Sequence, residues 1–277
     1  MVFSETSPVF NSRFDEAERA EIIATAEAAA DAAREITLKY FRGSELDTAS
    51  KLSEGFDPVT VADRGSEQAM RAVIAARRPH DAILGEEFPS KPGTSGLTWV
   101  LDPIDGTRGF ISGTPTWGVL IALRDAQSAL YGVIDQPYIG ERFSGGLGRA
   151  ELDGPHGTRK LAVRQGVPLD QAVIFSTFPE VGGESEGKAF HDLAGRCKLT
   201  RYGMDCYAYA LLAAGQIDLV VEAGLQSYDI LAPIAVIEAA GGIVTDWQGG
   251  PVLEGGRVLA AASKELHDAA LAVLSDY

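Results

Sequence analysis

Cysteine is scarce in this chain. Only Cys197 and Cys206 occur in 277 residues, with no C-x-x-C spacing and no paired histidines beside them, which excludes a zinc knuckle and a disulfide framework. Both read as reduced thiols that pack as small buried hydrophobes. Long apolar runs are missing too: no stretch approaches the ~18 residues that a bilayer span needs. The opening Met1-Val-Phe-Ser-Glu-Thr-Ser7 has no basic region leading into an apolar one, so the expectation is a soluble, cytoplasmic protein without a membrane partner. Positive charge is in deficit, with 24 Lys and Arg against 39 Asp and Glu and a net charge of −15. That balance excludes a broad phosphate-backbone contact surface, and with it nucleic acid as a partner. No Gly-Lys-Ser/Thr loop, internal repeat, heptad array or low-complexity tract is present, which removes the common NTPase route and the solenoid folds.

What remains is a chain that is 45% hydrophobic, ample for a buried core in one large or two ordinary domains. After Ser12-Arg-Phe-Asp15, which has capping-box spacing, Ile22, Ile23, Ala26, Ala29, Ala30, Ala33 and Ile36 recur at helical intervals to about Arg42. A second helix is predicted to follow Asp63 and to stop near Pro79. Ala82-Ile-Leu84, the run ending at Leu101, Trp117 to Leu123, Leu130 to Ile134 and Leu161-Ala-Val163 read as strands, with Ser144-Gly-Gly-Leu-Gly148 as a Gly-rich connection. A boundary near residue 150 divides an N-terminal α+β half, 1–150, from a C-terminal α/β half, 151–277. In the latter, Ala172 to Phe175 and Ile217 to Val221 read as strands and Tyr207 to Ala214 as a helix. Asp229 is expected to open a last apolar helix with Pro233 in its first turn and Gly241-Gly242 at its end.

Asp102 directly follows the apolar run Trp99-Val-Leu101. Its carboxylate therefore emerges at the C-terminal end of a buried strand, where crevices open in α/β proteins. Asp105 comes three positions later, and Pro103 stiffens the turn so that two carboxylates and the Ile104 carbonyl converge on one centre. Oxygen-only ligands of this kind suit Mg²⁺. Gly106 and Thr107 add backbone N–H groups in a tight turn, a cradle for a phosphate. Taken alone, Asp-Pro-Ile-Asp-Gly reads equally well as an ordinary turn built from the commonest turn formers.

Gly85-Glu86-Glu87, then Trp99-Val-Leu-Asp102-Pro-Ile-Asp105-Gly-Thr107 with Phe110, then Ser227-Tyr-Asp229-Ile-Leu-Ala-Pro-Ile-Ala-Val236 followed by Glu238-Ala-Ala-Gly-Gly242, resemble in order the motifs of the inositol monophosphatase family. The resemblance implies a layered α/β/α/β/α sandwich of the α/β (α+β) class, usually a homodimer, that hydrolyses a small phosphorylated substrate with two or three Mg²⁺ ions. It implies Glu86, Asp102, the Ile104 carbonyl, Asp105 and Asp229 as metal ligands, with Glu86, Asp105 and Thr107 at the catalytic centre, where Glu86 and Thr107 orient and activate the attacking water. Asp229 also reads as a helix N-cap. Upstream, Asp57-Pro-Val-Thr-Val-Ala-Asp63, with Lys51 in the loop before it, resembles the segment that supports a further, weaker ion; Asp63 reads equally as a helix cap. Haloacid-dehalogenase phosphatases separate two aspartates by one residue, whereas Pro103 and Ile104 both intervene here, which disfavours a phospho-aspartate mechanism.

The leaving group is addressed elsewhere. Arg201-Tyr-Gly-Met-Asp205-Cys-Tyr207 resembles the Gly-x-Asp-Cys-Tyr pattern of the histidinol-phosphate branch, in which a carboxylate replaces the small or hydroxyl residue usual in inositol phosphatases. Arg108, directly after Thr107, points the same way. Glu222 matches the position from which the family contacts substrate hydroxyls. Gly106, Thr107, Arg108, Asp205 and Glu222 are thus the expected substrate contacts; Asp205 also reads as an N-cap and Glu222 as a surface carboxylate. The expectation is hydrolysis of histidinol phosphate to histidinol, with inositol-1-phosphate hydrolysis as the alternative and a non-catalytic metal- or phosphate-binding regulator as the reading from another class.

Overall fold

The computed structural model describes residues 13–43, 48–50 and 58–277; Lys51 and Asp57 lie outside the described residues, as does Ser12. The first helix, α1 (Glu16–Tyr40), is capped by Asp15, whose side chain accepts the Glu18 N–H at 2.8 Å. It buries Ile22, Ala26, Ala29, Ala30 and Ala33 along one stripe, and such small residues let α2 (Val61–Arg77) pack closely against it. The short strands β1 (Thr48–Ser50) and β2 (Pro58–Thr60) pair antiparallel ahead of α2. Thr60 is the N-cap of α2 and Asp63 its third residue, the two closing a capping box. The helix thus begins before Asp63, because Thr60 offers the hydroxyl that the first amides need.

Behind these helices stands a seven-stranded sheet: β3 (Ala82–Gly85), β4 (Thr98–Asp105), β5 (Gly118–Arg124), β6 (Ala129–Gln136), β7 (Glu141–Gly146), β8 (Arg149–Asp153) and β9 (Arg159–Lys160), in that order. Only β3 and β4 run parallel. Between β4 and β5 the chain makes the short helix α3 (Thr107–Ser112). The Gly-rich stretch expected as a connection is largely strand β7. Its glycines are there for close approach: a Cβ on Gly145 would sit 2.4 Å from Val236 Cα. Leu161 to Val163, expected as a strand, is not one. Leu161 and Val163 donate their N–H groups to Ala150 and Ala240 and bury their side chains in the central core, so their apolar character comes from plugging that core.

The second sheet has five strands, ordered β11 (Leu199–Tyr202), β10 (Val173–Ser176), β12 (Leu219–Gln226), β14 (Gly255–Ala261) and β13 (Ile243–Thr245). Parallel pairing of β10 with β11 and β12 gives way to antiparallel pairing around β14. Helices α4 (Glu184–Ala194) and α7 (Lys264–Leu274) cover its outer face, and α5 (Cys206–Ala213) and α6 (Ser227–Ala239) fill the space between the two sheets. Among the described residues the order of layers is therefore α/β/α/β/α. α6 is apolar all round, as a helix buried between two sheets must be. It starts at Ser227 with Gln226 as N-cap, so Asp229 is its third residue and Pro233 lies inside the helix, not in its first turn. None of the described helices is long and apolar enough to cross a membrane.

Candidate active site

A cavity of about 420 Å³ opens at the seam between the sheets. From the first sheet it receives Glu86, after β3, then Asp102, Ile104 and Asp105 from the end of β4, and Gly106, Thr107 and Arg108 from the turn into α3. From the other side come Asp205 before α5, Glu222 on β12 and Asp229 on α6.

Two carboxylates three residues apart on a regular strand would point to opposite faces. Here they do not, because β4 is bulged: Asp102 pairs with Leu120 but Asp105 with Gly118, so one extra residue is accommodated between them. Pro103 tolerates that irregularity because it has no N–H to lose from the ladder. The Asp102 carboxylate accepts the Ile104 N–H at 3.0 Å, and Asp105 accepts the Cys206 N–H at 2.6 Å. Asp229 accepts the Gln226 N–H at 2.6 Å, closing the box at the head of α6. Capping and lining the cavity are therefore one placement for Asp229, not rival ones.

Asp102, Asp105 and Asp229 each bring an oxygen to within 4.8 Å of the other two. Burial, then the nearby Glu86, Asp105 and Asp229, push Asp102 well above the ordinary carboxylate range; burial, then Asp205 and Asp229, do the same to Asp105. An all-oxygen cluster that cannot ionise comfortably by itself is the donor set a hard divalent cation fits. Thr107 donates its hydroxyl to the Ile104 carbonyl at 3.1 Å and lies 3.4 Å from an Asp63 oxygen. Asp63 is fully buried, and its other oxygen accepts the N–H and hydroxyl of Thr60; burial raises it to about 6. It caps α2 and touches the site through Thr107.

Asp205 stands at φ +46°, a left-handed setting unusual for a residue with a Cβ, and its side chain makes no cap to α5. It occupies the N-cap position of α5, as the alternative reading had it, but without the side-chain hydrogen bond of a plain cap. Its carboxyl group lies over Gly106, itself at φ +82°, where an added Cβ would come within 2.7 Å of Asp205 Cγ. Burial lifts Asp205 to about 6 against the pull of the Thr116 side chain and then of the Arg108 guanidinium. Glu222 is only 5% exposed, not a surface carboxylate. One oxygen accepts the Thr177 N–H at 3.0 Å and hydroxyl at 2.5 Å, the other the Tyr209 hydroxyl at 3.2 Å. A carboxylate has about four acceptor positions, so one is left for a ligand. Burial raises Glu222 to about 7.

Thr177, Tyr209 and the Cys206 amide hold these acids, and sequence reasoning passed over all three. Thr177 is 45 positions from Glu222, and no local pattern encodes such a contact. Phe178 was missed as well; its ring, 45% exposed, lines the cavity with the Arg108 guanidinium 4.9 Å from its centre.

The model of the inositol monophosphatase family matches residues 18–277. The chain belongs to that family. It is 40% identical over 272 residues to the bifunctional phosphatase IMPL2, chloroplastic, of Arabidopsis thaliana, covering 94% of this chain and 77% of that one. It is 32% identical over 237 residues to the histidinol-phosphatase of Chlorobaculum parvum, covering 86% and 90%. Among solved structures, an inositol monophosphatase from Zymomonas mobilis superposes with a TM-score of 0.81 at 38% identity, over 92% of this chain and 98% of that one. Membership makes the protein a phosphoric monoester hydrolase of a metal-dependent family, and the oxygen cluster is a donor set that could hold a cation.

Proposed function

We propose that the protein hydrolyses histidinol phosphate to histidinol with Mg²⁺ held by Glu86, Asp102, the Ile104 carbonyl, Asp105 and Asp229. The observation that carries the choice of substrate is Asp205: a carboxylate in a strained backbone setting, not used as a cap, turned onto Gly106 at the cavity wall. Strain of this kind persists where the surroundings over-determine it, and it clusters at functional sites. A negative group beside the phosphate cradle suits a leaving group that carries an amine, and it repels nothing in such a substrate except the phosphate, which the cations and Arg108 offset.

Bound Mg²⁺ supplies the Lewis acidity that neutralises phosphate oxygens and lowers the pKa of a water. The chain's own groups do the rest. Thr107 and Glu86 orient the attacking water and the Glu86 carboxylate takes its proton, Asp105 keeps its place through the Cys206 amide, and the Gly106 and Thr107 amides face the phosphate. Asp205 receives the substrate ammonium, and Glu222, held by Thr177 and Tyr209, offers its remaining acceptor position to the amine or imidazole. In this reading residues 1–150 carry the chemistry, apart from Asp229, and residues 151–277 carry the selectivity. Asp63, with Lys51 and Asp57, supports a third, weaker ion, and the working unit is a homodimer, checked by light scattering at twice the chain mass.

Side-by-side assays decide the substrate. With Mg²⁺ the purified protein is expected to release phosphate from histidinol phosphate far faster than from myo-inositol 1-phosphate; the reverse order would make it an inositol monophosphatase. No release from any small ester would leave a binding role. Asp205→Asn is expected to lower kcat/KM for the cationic ester by at least about tenfold, the value of one charged hydrogen bond, and to leave neutral esters near their starting rates. Equal loss on both would make Asp205 structural.

A further inference from the structure

Glu67 lies one helical turn beyond Asp63, on the same face of α2, and its side chain is fully buried. A buried glutamate needs partners, and this one has two, both directed at a single loop. One oxygen accepts the Glu87 N–H at 2.7 Å; the other accepts Arg71 Nε at 2.6 Å. Arg71 in turn donates to the Phe88 carbonyl at 3.0 Å. The loop is pressed onto the carboxylate without room to spare, since a Cβ on Gly85 would come within 2.1 Å of a Glu67 oxygen. Residues 85, 87 and 88 are thus gripped by one ion pair, and Glu86 is the residue between them.

We infer that Glu67, with Arg71, is the positioning residue that sets Glu86 at the cation cluster. The pair holds the backbone on both sides of Glu86, so the direction of the Glu86 side chain follows from a contact made on the far side of the loop from the cavity. Glu67 meets neither cation nor substrate. Its effect is on cation affinity, and outer groups that orient a metal ligand are worth about 10- to 100-fold in affinity. The inference rests on Glu86 being a cation ligand, which the test checks separately.

Mn²⁺ binding to the whole protein is measured by titration calorimetry, alongside the Mg²⁺ concentration for half-maximal rate, in wild type, Glu86→Gln, Glu67→Gln and Glu67→Ala. Asp218→Asn, which breaks the ion pair of the buried Asp218 with Arg164 away from the cavity, serves as a variant that only destabilises. The amide of Glu67→Gln can satisfy the Glu87 N–H or Arg71, but not both. Mn²⁺ affinity is expected to fall about tenfold in both Glu67 variants, with a matching rise in half-saturating Mg²⁺ and an unchanged substrate KM at saturating Mg²⁺, while Asp218→Asn lowers Tm alone. If Glu67→Ala does not fold, Glu67→Gln carries the comparison. Weakened binding in Glu86→Gln with unaltered binding in Glu67→Gln overturns the positioning role; unaltered binding in Glu86→Gln overturns the ligand assignment instead.

Discussion

Asp102 is 2% exposed and faces the Glu86, Asp105 and Asp229 carboxylates. Without a cation it is a source of instability held in place by the rest of the fold. Asp102→Asn removes the charge but keeps the shape, so the variant is expected to melt at a higher temperature than wild type in EDTA while losing about a thousandfold in kcat, the scale of several kcal/mol of metal-borne stabilisation. Calorimetry and a phosphate-release assay check both halves. Gly106→Ala is expected to fail differently: its φ of +82° costs an L-residue about 1–2 kcal/mol, and the methyl group displaces Asp205, so both Tm and activity fall. At this scale the sequence was informative where chemistry crowds into a short segment, as from Asp102 to Thr107. It pointed to Glu222 but was silent on what holds it, the Thr177 N–H and hydroxyl and the Tyr209 hydroxyl, and on the hold on Asp105, a Cys206 backbone amide that any residue type would supply.

Both strands that deliver acids to the cavity are irregular at the point of delivery. β4 gains one residue between Asp102 and Asp105, and β12 gains one between Glu222 and Leu225, where Gly224 takes φ +85°. Bulges re-aim side chains that strict alternation would send elsewhere, and their positions are not written in hydrophobic periodicity. The same holds for α6, whose beginning was misplaced because Asp229 looks like a cap by composition, while Gln226 and Asp229 share that task across the first turn. Regular elements were easier. α1 and α2 announce themselves by spacing, because one face of each is buried, and the strand running into Leu101 by an unbroken apolar run, because both of its faces are buried. The Gly-rich β7 did not, since Gly145 answers to a helix nearly a hundred residues away and Gly146 to the backbone of Leu130 on the neighbouring strand. Gly145→Ala drives a methyl group into the Val236 backbone, and overpacking of this kind costs about 1–3 kcal/mol. A lowered urea midpoint at unchanged m-value is the expected result.

Across the whole molecule the buried acids make stability depend on pH and cation together. Asp63 and Asp205 sit at about 6 and Glu222 at about 7 in the folded protein, above their ordinary 3.8 and 4.5, and Asp102 and Asp105 are raised as well. The folded state therefore keeps protons that the unfolded chain releases. The stability these groups contribute is complete below about pH 4 and is lost as pH rises through about 6 to 7. In EDTA, Tm is expected to drop between about pH 5 and about pH 8, and Mg²⁺ should raise it more at the higher pH, because there the cation replaces protons already gone. A Mg²⁺ increment equal at both pH values would remove the linkage. The layered order was legible from the family motifs, but the seam was not: the carboxylate cluster draws on the first sheet and α6, while Asp205, Glu222 and Phe178 stand on the other side. If Asp205 and Glu222 read the leaving group as proposed, replacing 176–226 by a relative's segment would change the alcohol released while Glu86, Asp102 and Asp105 stay in place, provided the new segment still offers the amide that Cys206 gives Asp105.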